Sequence, residues 1–312
     1  MTAEPFSFSD TTARTFHALL WTPSEPPSAV LQITHGMTEH IGRYHALAEA
    51  LVSRGIAVAG FDLRGHGSCE GNPSCASFGQ GGWDASLNDM HCFSAVLDER
   101  FPGVPRFLLG FSLGSFLVRE YLNRYEDALA GAVIAGTGHQ PGWVLAIMAA
   151  IVKTQVNKAG FDNTTPLVEN LSFGTYNKKF QPNRTPSDWL CSDNGQLDAY
   201  RADPLCRPAI SSGLFLELLQ SMARTGKPEI YAHVNRNLPV LLLSGEDDPV
   251  GDGGKGVRRA ENAMRKAGME NVTATLFPGA RHDIFHEETN GTAENVRTLL
   301  GDWILAETAK RK

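Results

Sequence analysis

The sequence predicts an α/β protein: a mainly parallel sheet with helices on both faces, interrupted by an inserted helical segment. Three observations carry this expectation. Apolar runs rich in branched residues alternate with segments of helical period. Those runs are nearly continuous in their apolar character, as strands buried on both faces are, and do not alternate with polar residues. One stretch of about a hundred residues breaks the rhythm, too long for a structureless loop inside a compact domain.

The elements follow in order. Residues 28–36, "SAVLQITHG", read as a buried strand closed by glycine. Leu47, Ala48, Leu51 and Val52 mark the inner face of a helix that Gly55 ends, and "IAVAGFDLRG" (56–65) is the next strand. Met90, Phe93, Leu97 and Phe101 recur at helical spacing and give a helix that stops before Pro105. The short apolar run in 106–110 is a strand, and Leu113, Phe116, Leu117 and Tyr121 begin another helix. "LAGAVIAGTG" (129–138) and "LPVLLLSGEDD" (238–248) are strands, the second followed by a helix lined by Val257, Ala260, Met264 and Ala267. "VTATLFPGA" (272–280) is a last strand, and Val296, Leu299, Leu300, Trp303 and Ile304 give a final amphipathic helix.

Residues 139–237 hold no clear buried strand and read as a helical cap inserted between core segments 1–138 and 238–312. The insertion contains "GWVLAIMAAIV" (142–152), the polar stretch "QPNRTPSDW" (181–189) and the amphipathic "ISSGLFLELLQSMA" (210–223). The run at 142–152 is too short to span a bilayer. It reads either as a helix buried against the core or as a surface for transient contact with a membrane or micelle.

Composition narrows the function classes. The 312 residues are 42% hydrophobic, with a net charge of −6 and no block of Lys and Arg, so no nucleic-acid surface is expected. Five cysteines (Cys69, Cys75, Cys92, Cys191, Cys206) stand at irregular spacing without a C-x-x-C pair, which argues against a disulfide framework and against a zinc site. The first residues, "MTAEPFSFSD", show neither a basic nor an apolar leader segment, and a soluble, cytoplasmic protein is the expectation.

The chemistry-bearing stretch is "RFLLGFSLGSFL" (106–117), where Gly110 and Gly114 flank Ser112 between a strand and a helix. A serine hydroxyl is a weak nucleophile and must be exposed beside a general base, with room for backbone donors around the attacked carbonyl. Small neighbours on a sharp strand-to-helix turn provide that room. In a parallel sheet the base and its orienting acid should emerge at the carboxyl ends of strands, in the order serine, acid, histidine. His282, in "PGARHDIFHE", fits the base, while His286 reads as part of the following turn. The acid comes from "SGEDDPVGD"; Pro249 fixes the turn after Asp248, which is preferred, with Asp247 next. His282 and His286 have a spacing that zinc could use, yet no H-E-x-x-H pattern is present.

With "HGMTEH" and "GRY" (35–44), "DLRGHG" (62–67), "GFSLG" (110–114), "GEDDPVG" (245–251) and "GARHDIFHE" (279–287), the chain resembles the monoacylglycerol lipase and lysophospholipase branch of the α/β-hydrolases, also labelled serine aminopeptidase-like. The resemblance implies the α/β-hydrolase fold, a triad of Ser112, Asp248 and His282, and an oxyanion hole made by the backbone N–H groups of Met37 and Leu113. It also implies a structural role for Asp62, Arg64 and His66. The departure is at the elbow, where Phe111 and Leu113 replace the G-H-S-M-G of the better-known lipases.

The expected function is a serine ester hydrolase acting on a small-molecule, lipid-derived ester such as a monoacylglycerol or lysophospholipid, without a cofactor or metal. Trp143, Ile147, Phe215 and Leu219 are the candidate acyl-binding residues of the cap. The alternatives are a small-ester carboxylesterase or an aminopeptidase-like hydrolase with the same triad, and last a non-catalytic binding module on the same fold.

Overall fold

The computed structural model describes residues 2–69, 75–125 and 128–311. The strands are β1 (Glu4–Ser9), β2 (Thr15–Trp21), β3 (Ala29–Thr34), β4 (Ile56–Phe61), β5 (Cys75–Ala76), β6 (Arg106–Phe111), β7 (Gly131–Ala135), β8 (Ala209–Ile210), β9 (Val240–Gly245) and β10 (Val272–Phe277). The helices are α1 (His45–Val52), α2 (Gly82–Arg100), α3 (Leu113–Arg124), α4 (Gly142–Ala159), α5 (Pro166–Phe173), α6 (Asn194–Ala202), α7 (Ser212–Thr225), α8 (Lys255–Lys266) and α9 (Thr292–Ala309). Eight strands form the main sheet in the order β1-β2-β4-β3-β6-β7-β9-β10. From β4 to β10 all neighbours are parallel, whereas β2 pairs antiparallel with both β1 and β4.

Strands β3, β4, β6, β7 and β9 are buried at every residue, which is why their sequences are nearly continuously apolar. One sheet face packs on α2, α3 and α8 through Met90, Leu117 and Met264, and the other on α1 and α9 through Leu51 and Leu300. The sequence reading passed over β1 and β2. These are the sheet's antiparallel end, and in β2 only alternate side chains Phe16, Ala18 and Leu20, together with Trp21, are buried, so the apolar signal is diluted.

The strand order places β6 on the opposite side of β3 from β4, so consecutive connections leave to either side there. In open parallel sheets the crevice outside the carboxyl ends at such a reversal is where ligands are held. Ser112 follows β6 and the His35–His40 loop follows β3, so both flank that crevice.

Between β7 and β9 the described chain adds nothing to the main sheet. It contributes α4 to α7 and the short β8, which pairs parallel with β5. Helix α7 packs against α3 and α4, and its Leu214, Phe215 and Leu219 join the same apolar cluster as α2 and α3. Arg119 of α3, fully buried, holds both ends of this segment. Its Nη1 donates to Thr137 Oγ1 (3.1 Å) and the Gly138 carbonyl (3.1 Å), its Nη2 to the Thr225 carbonyl (2.6 Å) and its Nε to the Tyr231 hydroxyl (2.8 Å). No helix among the described residues is long and apolar enough to cross a membrane, and all five cysteines are free.

Candidate active site

Ser112 sits at the strand-to-helix turn with φ 50° and ψ −115°, a region that side-chain-bearing residues rarely enter. Such a conformation costs about 1–3 kcal/mol and persists only where its surroundings enforce it. Here the Ser112 N–H donates to the Ala135 carbonyl (2.9 Å), and the Ser112 carbonyl accepts from the Ser115 N–H (2.9 Å) and hydroxyl (2.6 Å). The flanking glycines are required by close approach. A Cβ at Gly110 would stand 2.2 Å from the Gly114 carbonyl oxygen, and one at Gly114 would stand 2.1 Å from that of Thr34. A side chain at Gly110 would push α3 away from β6, one at Gly114 would push it away from β3, and either would open the turn.

His282 lies in the loop after β10 and Asp248 in the loop after β9, both fully or almost fully buried. The His282 Nδ1 is 2.9 Å from Asp248 Oδ2. Asp248 also accepts from the Ser244 hydroxyl (3.2 Å) and the Val250 N–H (2.8 Å), so its orientation is fixed. Burial opposes charging of the imidazole, but the Asp248 charge and hydrogen bond outweigh it and hold His282 above the ordinary histidine value. Asp247 points elsewhere, pairing with Lys179 at the surface (2.7 Å). The His282 ring is packed between Phe111 and Trp189, with centroids at 5.0 and 5.2 Å. Tyr176 packs on Trp189 in a tilted contact at 5.0 Å, and its phenol is pushed up to about 12 by burial and then by the Asp248 charge. The sequence reading missed Tyr176 and Trp189; the signal was aromatic residues set in an otherwise polar stretch.

The loop after β3 is held by hydrogen bonds from within. The Glu39 carboxylate accepts from the Gly36 N–H (2.5 Å), from the Tyr44 hydroxyl (2.9 Å) and from the Arg43 guanidinium. Arg43 also pairs with Asp283 (2.8 Å), whose second oxygen is 2.8 Å from His286 Nδ1. The N–H groups of Met37 and Leu113 have no hydrogen-bond partner among the described residues, and Met37 lines the same cavity as Ser112 and His282. His35 donates through Nδ1 to the Gly36 carbonyl (2.7 Å) and accepts through Nε2 from the Leu63 N–H (2.9 Å), an arrangement that requires a neutral ring.

The cavity has a volume of about 520 Å³. Its apolar wall comes from Phe111, Pro166, Phe173, Trp189, Leu190 and Ile210. The four acyl-binding candidates lie outside it. Trp143 and Ile147, one helical turn apart, are 70% and 55% exposed on the outer side of α4, whereas Phe215 and Leu219 are buried in the core. The periodicity that singled these residues out marks the two sides of packed helices and does not mark the crevice.

His40, Asp203 and Cys206 bring potential metal-ligating atoms within 4.8 Å of one another. Their chemistry is that of a hydrogen-bonded brace. His40 Nδ1 accepts from the Gly42 N–H (3.2 Å), which leaves the proton on Nε2 to be donated to Asp203 (2.9 Å), and burial pushes the Cys206 thiol up to about 12. A metal ligand set would need that nitrogen and sulfur deprotonated.

The family model for serine aminopeptidase, S33, matches residues 25–289. The chain belongs to this family. Within it the chain falls in the monoacylglycerol lipase-like branch of the α/β-hydrolases and is a hydrolase of the lipase and esterase kind. It is 28% identical over 290 residues to human monoglyceride lipase, covering 93% of this chain and 86% of the relative. A monoacylglycerol lipase of Mycolicibacterium smegmatis is 27% identical over 278 residues, covering 86% of each. In fold the chain matches a highly thermostable carboxyl esterase from Bacillus coagulans, solved in complex with glycerol, with a TM-score of 0.86, 22% identity and 99% of both chains covered.

Proposed function

We propose that the chain hydrolyses carboxylic esters of lipid origin through an acyl-enzyme on Ser112. The observation that carries this reading is the buried His282–Asp248 pair opening on the cavity that holds the strained Ser112. In this mechanism the Ser112 oxygen attacks the ester carbonyl while His282 Nε2 takes its proton. The N–H groups of Met37 and Leu113 donate to the oxyanion, each worth about 3 kcal/mol in a preorganised site. Collapse expels the alkoxide, which takes the proton from His282, and leaves Ser112 acylated. Water then attacks the acyl group, His282 accepts the water's proton, and its return to Ser112 releases the acid. Asp248 holds the imidazole through Nδ1–H and stabilises its cationic form. No cofactor enters any step.

The apolar wall and the monoglyceride lipases among the relatives support a lipid-derived ester. The inserted segment, acting as a cap, would meet that ester where it is aggregated: Trp143, Ile147 and Ile151 stand at successive turns of α4 and are 38% exposed or more. Peptidase action is disfavoured because two of the carboxylates in the cavity wall, Glu39 and Asp283, are already bound by Arg43 and are not free for a substrate's amine.

A panel of p-nitrophenyl acyl esters, monoacylglycerols, lysophospholipids and amino-acid amides tests the reading. Turnover of the long-chain esters, lost in Ser112→Ala together with fluorophosphonate labelling, is the expected result. A short-chain optimum would leave a carboxylesterase, turnover confined to the amides would make it an aminopeptidase, and turnover retained by Ser112→Ala would overturn the mechanism.

A further inference from the structure

The charges in the cavity wall are unequally satisfied. Three arginines line it, Arg43, Arg201 and Arg207, beside three carboxylates, Glu39, Glu169 and Asp283. Arg43 is buried and binds both Glu39 and Asp283. Neither Arg201 nor Arg207 is within ion-pair distance of a carboxylate among the described residues. The carboxylate one turn before Arg201, Asp198, feels the Arg201 charge but accepts its hydrogen bonds from Arg184 in a two-pronged pair (2.8 and 3.1 Å). That leaves two guanidinium groups against the single exposed carboxylate of Glu169.

The backbone around them is strained as well. Arg207 has φ 60° although it precedes Pro208, a position at which the extended region is strongly preferred. Its N–H donates to the carbonyl of Thr38 (2.9 Å), itself a β-branched residue at φ 63°. The Arg207 guanidinium is bonded to the Arg201 carbonyl, and the Arg201 guanidinium reaches the Ser187 hydroxyl at 3.5 Å. The Tyr200 hydroxyl bonds to Thr38 Oγ1 (3.0 Å). Two unfavourable backbone conformations are thus spent on fastening the segment that carries both arginines directly to the loop of the oxyanion donor Met37. Strain of this kind, kept at a ligand-facing site, points to a positioning function.

We propose that Arg201 and Arg207 form a receptor for an anionic group, phosphate or carboxylate, carried by the substrate close to its scissile ester. A guanidinium offers paired donors that match either oxyanion, and it stays charged at any pH the fold survives. The inference rests on the ester-hydrolase reading and deepens it by naming the substrate's charge and the residues that select it.

Two matched pairs of soluble esters test it. In 1-butyrylglycerol against 1-butyrylglycerol 3-phosphate the charge is on the alcohol side; in p-nitrophenyl hexanoate against mono-p-nitrophenyl adipate it is on the acyl side. The expected result is that kcat/KM favours the anionic member of one pair by about tenfold or more, mainly through KM. The responding pair tells which side the receptor faces. Raising salt from about 50 mM to about 500 mM should reduce the preference in the unmutated protein. The double substitution R201Q/R207Q should bring the ratio close to one, and Arg201→Gln alone should lower it without touching the strained Arg207 backbone. Equal or neutral preference in both pairs would overturn the proposal, as would an anionic preference that salt and both variants leave intact. Neutral esters turned over by the protein but not by Ser112→Ala would keep the hydrolase reading alive even then. If none of the four esters reacts, calorimetric binding of butyrylglycerol phosphate to the Ser112→Ala protein, weakened in R201Q/R207Q, still reads the receptor; no binding overturns it.

Discussion

Two of the clusters of buried histidine and aspartate at the carboxyl ends of strands differ in what the carboxylate touches. In the first, Asp248 bonds to the His282 ring, and the ring opens on a cavity. In the second, Asp62 accepts from the N–H groups of Ile41 (2.9 Å) and Ser68 (2.8 Å) and faces the partly exposed His17 at 3.5 Å, while His35 and His66 meet edge to face at 5.5 Å. The electrostatic results are opposite. His282 is lifted above the usual imidazole range by its acid, whereas burial pushes His35 down and His66 to about 3. Burial alone leaves His35 and His66 as neutral structural hydrogen-bonders; burial with a bonded carboxylate favours the protonated form of His282.

The strongest way to break this contrast is Ser112→Ala, which should reduce ester turnover to background with an unchanged unfolding transition; turnover surviving it would move the chemistry elsewhere. Next in size is Asp248→Asn, expected to cost up to about 10⁴ in kcat because the amide stabilises the wrong tautomer. The pH profile sharpens the same point. In the proposed role of base His282 must be neutral, and its value is raised, so kcat/KM should fall with decreasing pH through an apparent pKa above about 6.5. Loss of the Asp248 charge should move that limb to lower pH, and a limb that stays in place would separate His282 from the profile.

In the other cluster His35→Ala should act on stability. It leaves the Leu63 N–H and the Gly36 carbonyl buried without partners, a loss of about 2 kcal/mol or more in urea unfolding, with fluorophosphonate labelling of the folded fraction retained. Labelling abolished in a fully folded His35→Ala protein would erase the distinction between the clusters. Trp143→Glu should lower turnover of micellar substrate several-fold and leave monomeric esters alone. Smallest of all, Asp247→Asn removes only a surface pair with Lys179, and kcat/KM should stay within about twofold.

Much of this arrangement was readable in advance because it is written in local patterns. The elbow glycines, the nearly continuous apolar strands and the order of motifs are short-range features, and each maps onto β3, β4, β6, β7, β9 or β10 or a loop that follows one of them. The cavity wall was not readable in that way. Trp189 and Arg207 come from irregular chain on either side of α6, and Arg201 from the last turn of that short helix; only tertiary contact brings them to the cavity of Ser112. Conversely, Phe215 and Leu219 advertise themselves through helical period, and that period reports burial of α7 against the core. The antiparallel β1–β2 pair was lost for a related reason: a strand half open to solvent carries too few apolar residues to stand out.

Arg119 has a consequence for how such proteins could be rebuilt. Its guanidinium is fully buried, has no carboxylate within ion-pair distance among the described residues, and is satisfied by carbonyls and hydroxyls contributed from both junctions of the inserted segment. An insertion of this kind is not a detachable part. A chimera that takes residues 139–237 from a relative imports new groups in place of the Thr225 carbonyl and the Tyr231 hydroxyl, and it strands a buried cation on α3, the helix that follows Ser112, unless the incoming sequence supplies equivalents. Recombination points placed between Gly138 and Thr225, which keep all four partners of the guanidinium, or a compensating Arg119→Met exchange, are therefore the conditions under which a transplanted segment would fold on this scaffold.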